Sequence, residues 1–233
     1  MEKTKKIKTL IILAGGKGER LYPLTKETPK PLIKIGEKPI IEHQILLLKE
    51  YGIKEIWLLL GYLGDRIREY FGNGKKWKVN IHYHQEEKLL GTAGALKTIE
   101  REIKGDFLVF SGDVMMDFDL KRFINYHCQK KGIASIVVHP SDHPLDSDLV
   151  EVDDTERIIN FLIRPHLEGK ILPDLSIASV FIFSPEIFQY IPKKKKSDIE
   201  KDILPLILKS KDKIYGYNSL EYFKDIGTPE RLR

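Results

Sequence analysis

The sequence predicts an α/β protein built on a mostly parallel sheet, and three observations carry that reading. Short β-branched and aliphatic runs alternate with longer segments of helical period, the pattern of βαβ units. A glycine-rich segment, Leu13 to Leu21, directly follows the first apolar run, where a strand would turn into the next element. With 233 residues, 42% of them hydrophobic and 31% charged, the chain can bury the core of one large α/β domain. A single domain spanning residues 1–233 is therefore expected.

In chain order, strands are expected at Thr9 to Leu13, Glu55 to Leu60, Val79 to His84, Asp106 to Phe110 and Ile133 to His139. Helices are expected between them at Pro39 to Tyr51, Asp65 to Phe71, Thr92 to Glu102 and Leu120 to Lys131. After His139 the texture changes. Asp148 to Val152 and Ile158 to Ile163 read as a hairpin around Asp153-Asp154, and Ser176 to Phe183 reads as a further strand. A helix with Pro at its first position begins at Ser184-Pro185-Glu186, another spans Ile199 to Ser210, and a last strand covers Lys213 to Asn218. Residues 1–139 thus form a repeating α/β half, and residues 140–233 a smaller β-rich half built onto it.

The formal charge of +5 is concentrated in two short runs, Lys3 to Lys8 and Lys193 to Lys196, which read as a solvated terminus and a solvated loop. Neither interleaves stacking aromatics with its cations, so no nucleic acid is expected as partner, and anionic small molecules are the better fit. Cys128 stands alone, which excludes an intramolecular disulfide. No apolar run approaches the roughly 20 residues of a membrane span, and the run Leu10 to Ala14 is too short for a signal-peptide core. A cytoplasmic protein with no membrane partner is the expectation; the sequence leaves room for a homo-oligomer without specifying one.

The segment Leu13-Ala14-Gly15-Gly16-Lys17-Gly18-Glu19-Arg20-Leu21 has the makings of an anion site. Glycines let the backbone approach a ligand closely and turn successive N–H groups toward phosphate oxygens. The spacing fits neither the P-loop nor the dinucleotide fingerprint, since Leu21 stands where the latter needs a third small residue. Pro29-Lys30-Pro31 follows closely, and prolines on both sides are expected to fix Lys30 in an extended path that returns its ammonium to the loop. Lys30 and Arg20 would then supply two cations for a triphosphate. Asp113 follows an apolar strand and a Ser-Gly pair, at the carboxyl edge where open α/β sheets bind ligands.

The order of these segments resembles the sugar-phosphate nucleotidyltransferase family. The resemblance rests on the opening just quoted with Pro23-Leu24-Thr25 and Pro29-Lys30-Pro31. It continues through Gly91-Thr92-Ala93-Gly94-Ala95-Leu96, Ser111-Gly112-Asp113, and Asp225-Ile226-Gly227-Thr228-Pro229-Glu230-Arg231-Leu232. It implies a Rossmann-like three-layer nucleotidyltransferase fold with a mostly parallel mixed sheet and a small acceptor-side β-subdomain. It also implies Mg2+ as cofactor, pyrophosphate as second product, and Asp113 and Asp225 as metal ligands. Arg20, Lys30 and Asp113 become the expected catalytic residues. Leu13, Ala14, Gly15, Gly16, Gly18, Glu86, Gly91 and Thr92 become the expected nucleotide contacts.

Glu86 lies five positions before Gly91, where pyrimidine-specific relatives carry a glutamine. A carboxylate only accepts, and guanine offers two N–H donors on one edge, whereas uracil and thymine set one donor between two acceptors. GTP is therefore the expected donor, with UTP or CTP as alternatives if Gln85 reads the base instead. On the acceptor side the family's Glu-Lys-Pro is Ile163-Arg164-Pro165 here, and its Asn-Ala-Gly is Ile177-Ala178-Ser179. Arg164, Ser179 and Lys201 are the expected sugar-phosphate contacts. The segments His139 to Pro144, Asp146 to Val150 and Ser197 to Pro205 look like those of bacterial mannose or heptose 1-phosphate guanylyltransferases, which implies such a sugar 1-phosphate as second substrate. His139, His143 and Asp146 read as a polar loop rimming the sugar pocket rather than a metal cluster. A catalytically silent nucleotide-binding homologue is the competing reading from another class, and keeping both metal carboxylates argues against it.

Overall fold

Thr9–Ala14 forms β1 near the centre of the main sheet, with side chains alternating between two apolar layers: Leu10, Ile12 and Ala14 pack on one side, Ile11 and Leu13 on the other. The computed structural model describes residues 7–49, 51–141, 143–166 and 171–232, so most of the basic run at Lys3 to Lys8 lies outside the described residues. A two-residue hairpin, β2 (Lys34–Ile35) and β3 (Lys38–Pro39), leads into α1 (Ile40–Lys49). Then come β4 (Glu55–Leu60), α2 (Gly64–Phe71), β5 (Asn80–Gln85), α3 (Gly91–Thr98), β6 (Phe107–Ser111), β7 (Val114–Asp117) and α4 (Leu120–Lys130). The second half contributes β8 (Ala134–Pro140), β9 (Leu149–Val152), β10 (Ile158–Leu162), β11 (Leu175–Phe183), α5 (Leu204–Leu208), β12 (Ile214–Asn218), β13 (Tyr222–Asp225) and α6 (Pro229–Leu232).

The main sheet runs β10-β9-β11-β6-β1-β4-β5, with β8 pairing β11 and β12 pairing β8. It is mixed. β6, β1, β4 and β5 are parallel, whereas β11 runs antiparallel to β6 and begins the smaller half. Helices α1, α2 and α4 cover one face through Ile41, Ile45, Ile67, Phe71 and Phe123; α3 and α5 cover the other through Ala93, Leu96, Leu204 and Ile207. This is the three-layer α/β arrangement anticipated from the alternating pattern. From β1 the chain proceeds to β4 on one side, while β6 lies on the other, so a topological switch point opens between β1 and β6. Among the described residues no helix is long and apolar enough to cross a membrane.

Three helices differ from expectation. The helix expected at Thr92 to Glu102 ends as an α-helix at Thr98, because Ile99 N–H turns to Leu96 O (3.3 Å) and a 3-10 turn, Glu100–Glu102, completes the segment. Pro185–Tyr190 is a 3-10 helix, with Ile187 N–H bonded to Ser184 O (3.0 Å) and the Ser184 side chain making no cap. The segment after Ser197 opens as a wide π turn, Ile199–Ile203, before α5. Asp198 caps it by accepting from the Glu200 and Lys201 N–H groups, and Pro205 has no N–H to offer the Lys201 carbonyl in α register. The small antiparallel pair β7–β13 was not anticipated, since its four-residue strands are too short to show a period.

Candidate active site

The loops leaving β1 and β6 meet at the switch point, where Gly112 N–H bonds Leu13 O (2.9 Å). Together with the start of α3 they line a cleft of about 570 Å3. Leu13, Ala14, Gly15, Gly16, Gly18, Arg20, Lys30, Glu86, Gly91, Thr92 and Asp113, expected from scattered parts of the sequence, all line it. Of the loop glycines at 15, 16 and 18, only Gly18 has positive φ (66°); its carbonyl accepts from Leu21 N–H (2.9 Å) and from the Thr25 hydroxyl (2.8 Å). That anchors the turn, and the three glycines bring backbone to the cleft wall beside the Lys17 and Arg20 positions. Lys30 is buried beneath it, and its Cβ lies 3.3 Å from where a Gly18 Cβ would stand. Lys30 opens a one-turn 3-10 helix, closed by Ile33 N–H to Lys30 O (3.0 Å), rather than continuing the expected extended path.

The Lys30 ammonium pairs with Asp113, which also accepts the Ser111 hydroxyl (2.6 Å). Burial works to raise the Asp113 carboxyl, but the Lys30 charge and the Lys30 and Ser111 hydrogen bonds outweigh it and hold the group below the usual carboxylate range. Arg20 lies across the mouth, one guanidinium nitrogen 3.1 Å from a Cβ position on Gly227. Glu86 is half-buried beside Gly15, with one oxygen accepting Leu90 N–H (3.0 Å); burial raises its carboxyl and that hydrogen bond opposes the rise. Gln85 does not line the cleft. Its amide donates to Gly61 O (2.9 Å), outside the cleft. Of these two neighbours, Glu86 lines the cleft and Gln85 does not.

A second cleft, about 620 Å3, lies between the β8–β9 loop, β11 and β13, and Arg164, Ser179 and Asp225 line it. Arg164 is committed to neighbours: its Nε donates to Asp148 (3.1 Å), its Nη1 to the Asp146 carbonyl (2.5 Å), and its backbone N–H to Asp148 (2.9 Å). Burial would raise the Asp148 carboxyl, yet Arg164 holds it below its ordinary range. Lys201 is exposed and lines neither cleft, because the wide turn carries it to solvent while bringing its neighbour Glu200 to the cavity wall. His139, His143 and Asp146 rim the second cleft, as the proline-flanked loop suggested. Lys196, expected in a solvated loop, lines the first cleft, as does Lys17 of the glycine-rich segment.

The clefts adjoin at Asp113 and Asp225. Asp225 pairs with Val114 across β13 and β7, and Ile226 N–H bonds Asp113 O (3.0 Å), so the two aspartates stand on neighbouring chain segments, one lining each cleft. Arg231 donates to both Asp225 oxygens (2.5 and 2.6 Å). Two carboxylates are the donors a hard cation takes. Among the described residues no group of three or more His, Cys, Asp or Glu side chains could enclose a metal by itself. An ion held by Asp113 and Asp225 would thus complete its shell with substrate oxygens and water, which is how magnesium is bound in phosphate chemistry.

The family model described as nucleotidyl transferase matches residues 9–233. The chain belongs to this family. It is 32% identical over 93% of its length to a UTP-glucose-1-phosphate uridylyltransferase of Synechocystis, covering 59% of that protein. It is 33% identical over 94% of its length to a mannose-1-phosphate guanylyltransferase catalytic subunit beta of Drosophila melanogaster, again covering 59%. The chain thus spans little more than half the length of these curated relatives. Among solved structures, HddC from Yersinia pseudotuberculosis complexed with GMP-PN superposes with a TM-score of 0.80 at 26% identity, over 97% of this chain and 96% of that one.

Proposed function

We propose that this protein transfers a nucleotidyl group from a nucleoside triphosphate to a sugar 1-phosphate, with GTP as donor and a mannose or manno-heptose 1-phosphate as acceptor. The adjoining of two clefts at Asp113 and Asp225 carries the reading: one cleft is lined by glycine backbone and cations, the other by groups suited to a polyol phosphate. A phosphate oxygen of the sugar 1-phosphate attacks the α-phosphorus, the bond from that phosphorus to the β-phosphate oxygen breaks, and pyrophosphate leaves with the bonding pair. Lys30 and Arg20 neutralise triphosphate oxygens as charge builds on the leaving group, and the glycine loop lets the chain lie against the phosphates. Asp113 and Asp225 would hold magnesium, which when bound supplies charge neutralisation between the two phosphates.

Glu86 supports GTP, because an ionised carboxylate offers two acceptors to the N–H groups on one guanine edge. The guanylyltransferase relative and the GMP-PN complex of HddC are consistent with that choice. A uridylyl donor is the second reading, favoured by the Synechocystis relative. Calorimetric titration of GTP and UTP against the protein separates them. GTP is expected to bind at least about tenfold tighter, a difference of about 1.4 kcal/mol. Equal or reversed affinities would remove the guanine assignment and leave the transfer chemistry standing.

A further inference from the structure

The wall of the acceptor cleft holds a chain of polar side chains that the transfer step does not use. Arg164 is bonded to Asp148, whose side chain is only 4% exposed; Asp148 and Glu200 line the same wall, where each carboxyl acts on the other; and Glu200 accepts the Ser179 hydroxyl (2.7 Å). Two interacting carboxyl groups in a buried wall are not both kept ionised without cost, so one of them tends to hold its proton. Arg164 fixes Asp148 as the ionised partner through a side-chain and a backbone hydrogen bond, so the proton belongs to Glu200. Ser179 adds an independent observation. It sits at φ 54° in the irregular stretch of β11 between Ile177 and Phe181, a left-handed conformation that a side chain rarely adopts. The strained position aims its hydroxyl at Glu200.

The consequence for a ligand follows from counting lone pairs and charges. A neutral Glu200 keeps one proton and gives one lone pair to the Ser179 hydroxyl, and acceptor capacity remains for the cavity it lines. With Glu200 neutral, Arg164 and Asp148 balance each other, and the wall puts no net negative charge beside an incoming phosphate. Ionised, Glu200 would add an unbalanced charge next to a dianion. We propose that Glu200, as a neutral carboxylic acid held by Ser179 beside Asp148, is a specificity residue of the acceptor cleft that accepts a hydrogen bond from a ring hydroxyl of a sugar 1-phosphate. The inference rests on the acceptor reading of this cleft. The charged groups acting on Glu200 are Asp148 before β9, Arg164 after β10 and Asp198 in its own turn. Burial moves its carboxyl up to about 8, with Asp148 and Asp198 adding to the rise and the Ser179 hydrogen bond opposing it.

The test is calorimetric titration of mannose 1-phosphate and glucose 1-phosphate, with Mg2+ and a non-hydrolysable GTP analogue present, against the wild-type protein, Glu200→Gln and Glu200→Ala. Each is measured at about pH 7 and about pH 9.5, either side of the Glu200 transition. Wild type is expected to lose about tenfold or more in sugar-phosphate affinity at the higher pH, while analogue affinity stays constant. Glu200→Gln, an isostere of the neutral acid, keeps the low-pH affinity at both values, and Glu200→Ala is weak at both. A Gln variant as weak as Ala, or a wild type whose affinity does not change with pH, overturns the assignment of Glu200. Absence of binding by wild type to these two and to manno-heptose 1-phosphate, with the analogue still bound, overturns the acceptor reading itself.

Discussion

Glu86 and Glu200 are both carboxyl groups pushed upward by burial, and the same substitution is expected to act oppositely at the two. Glu86 has one oxygen on Leu90 N–H and faces the cleft beside Gly15. If it reads guanine as a carboxylate, Glu86→Gln replaces an acceptor with a donor against the base N–H groups. GTP affinity should then fall about tenfold to a hundredfold with little change in thermal stability, as titration and melting together would show. For Glu200 the folded group titrates near 8 against an ordinary value of 4.5. Between those values the folded state binds more protons than the unfolded one, so stability falls as pH rises through the window and levels off above it. Glu200→Gln lacks that loss. Its melting temperature relative to wild type should therefore climb from about pH 5 to about pH 8; a difference that stays flat contradicts a protonated Glu200. Lys30→Met removes the cation over Asp113 and should lower the rate of pyrophosphate release by about a hundredfold or more, read in single-turnover kinetics at saturating nucleotide.

At the scale of elements, the glycine at the start of α3 couples the two halves of the chain. Gly91 has φ 76°, and a Cβ there would collide with the Ser197 carbonyl, which also accepts from Ala93 N–H (3.1 Å). The same contact positions Lys196 over the nucleotide cleft and begins the wide turn that carries Glu200. Gly91→Ala should thus cost about 1 kcal/mol or more in denaturant unfolding and weaken nucleotide and sugar phosphate together. Loss of nucleotide binding alone would show that the two segments are not coupled. Here the sequence was readable only in part. The motif from Ser197 to Pro205 was visible as a site segment, but α-helical phase gave no reason to prefer Glu200 over Lys201. The rotation comes from Pro205 and the π turn, a tertiary outcome. Asp225 is visible in the sequence through its motif alone; the structure puts it at the end of β13, paired to β7, next to the segment of Asp113.

For the molecule as a whole, the nucleotide half was legible because its strands are long and doubly buried and its phosphate-binding loop depends on glycines, which sequence displays directly. β1, β4 and β6 fall within one residue of expectation, and every expected nucleotide contact lines one cleft. The acceptor half was less so. Its cleft-lining groups come from the β8–β9 loop, the segment after β10, β11 and the turn before α5, and their partnerships, Arg164 with Asp148 and Ser179 with Glu200, join residues with no local pattern between them. The central claim, that the two clefts serve one transfer reaction across Asp113 and Asp225, is tested most directly by following the label of α-labelled GTP. With Mg2+ and mannose or manno-heptose 1-phosphate present, label should move into a sugar nucleotide while unlabelled pyrophosphate is released, and omitting the sugar phosphate or substituting Asp113→Asn should abolish both. Bound GTP whose label never leaves the triphosphate, across that pair of acceptors and a panel of other sugar 1-phosphates, would contradict the account.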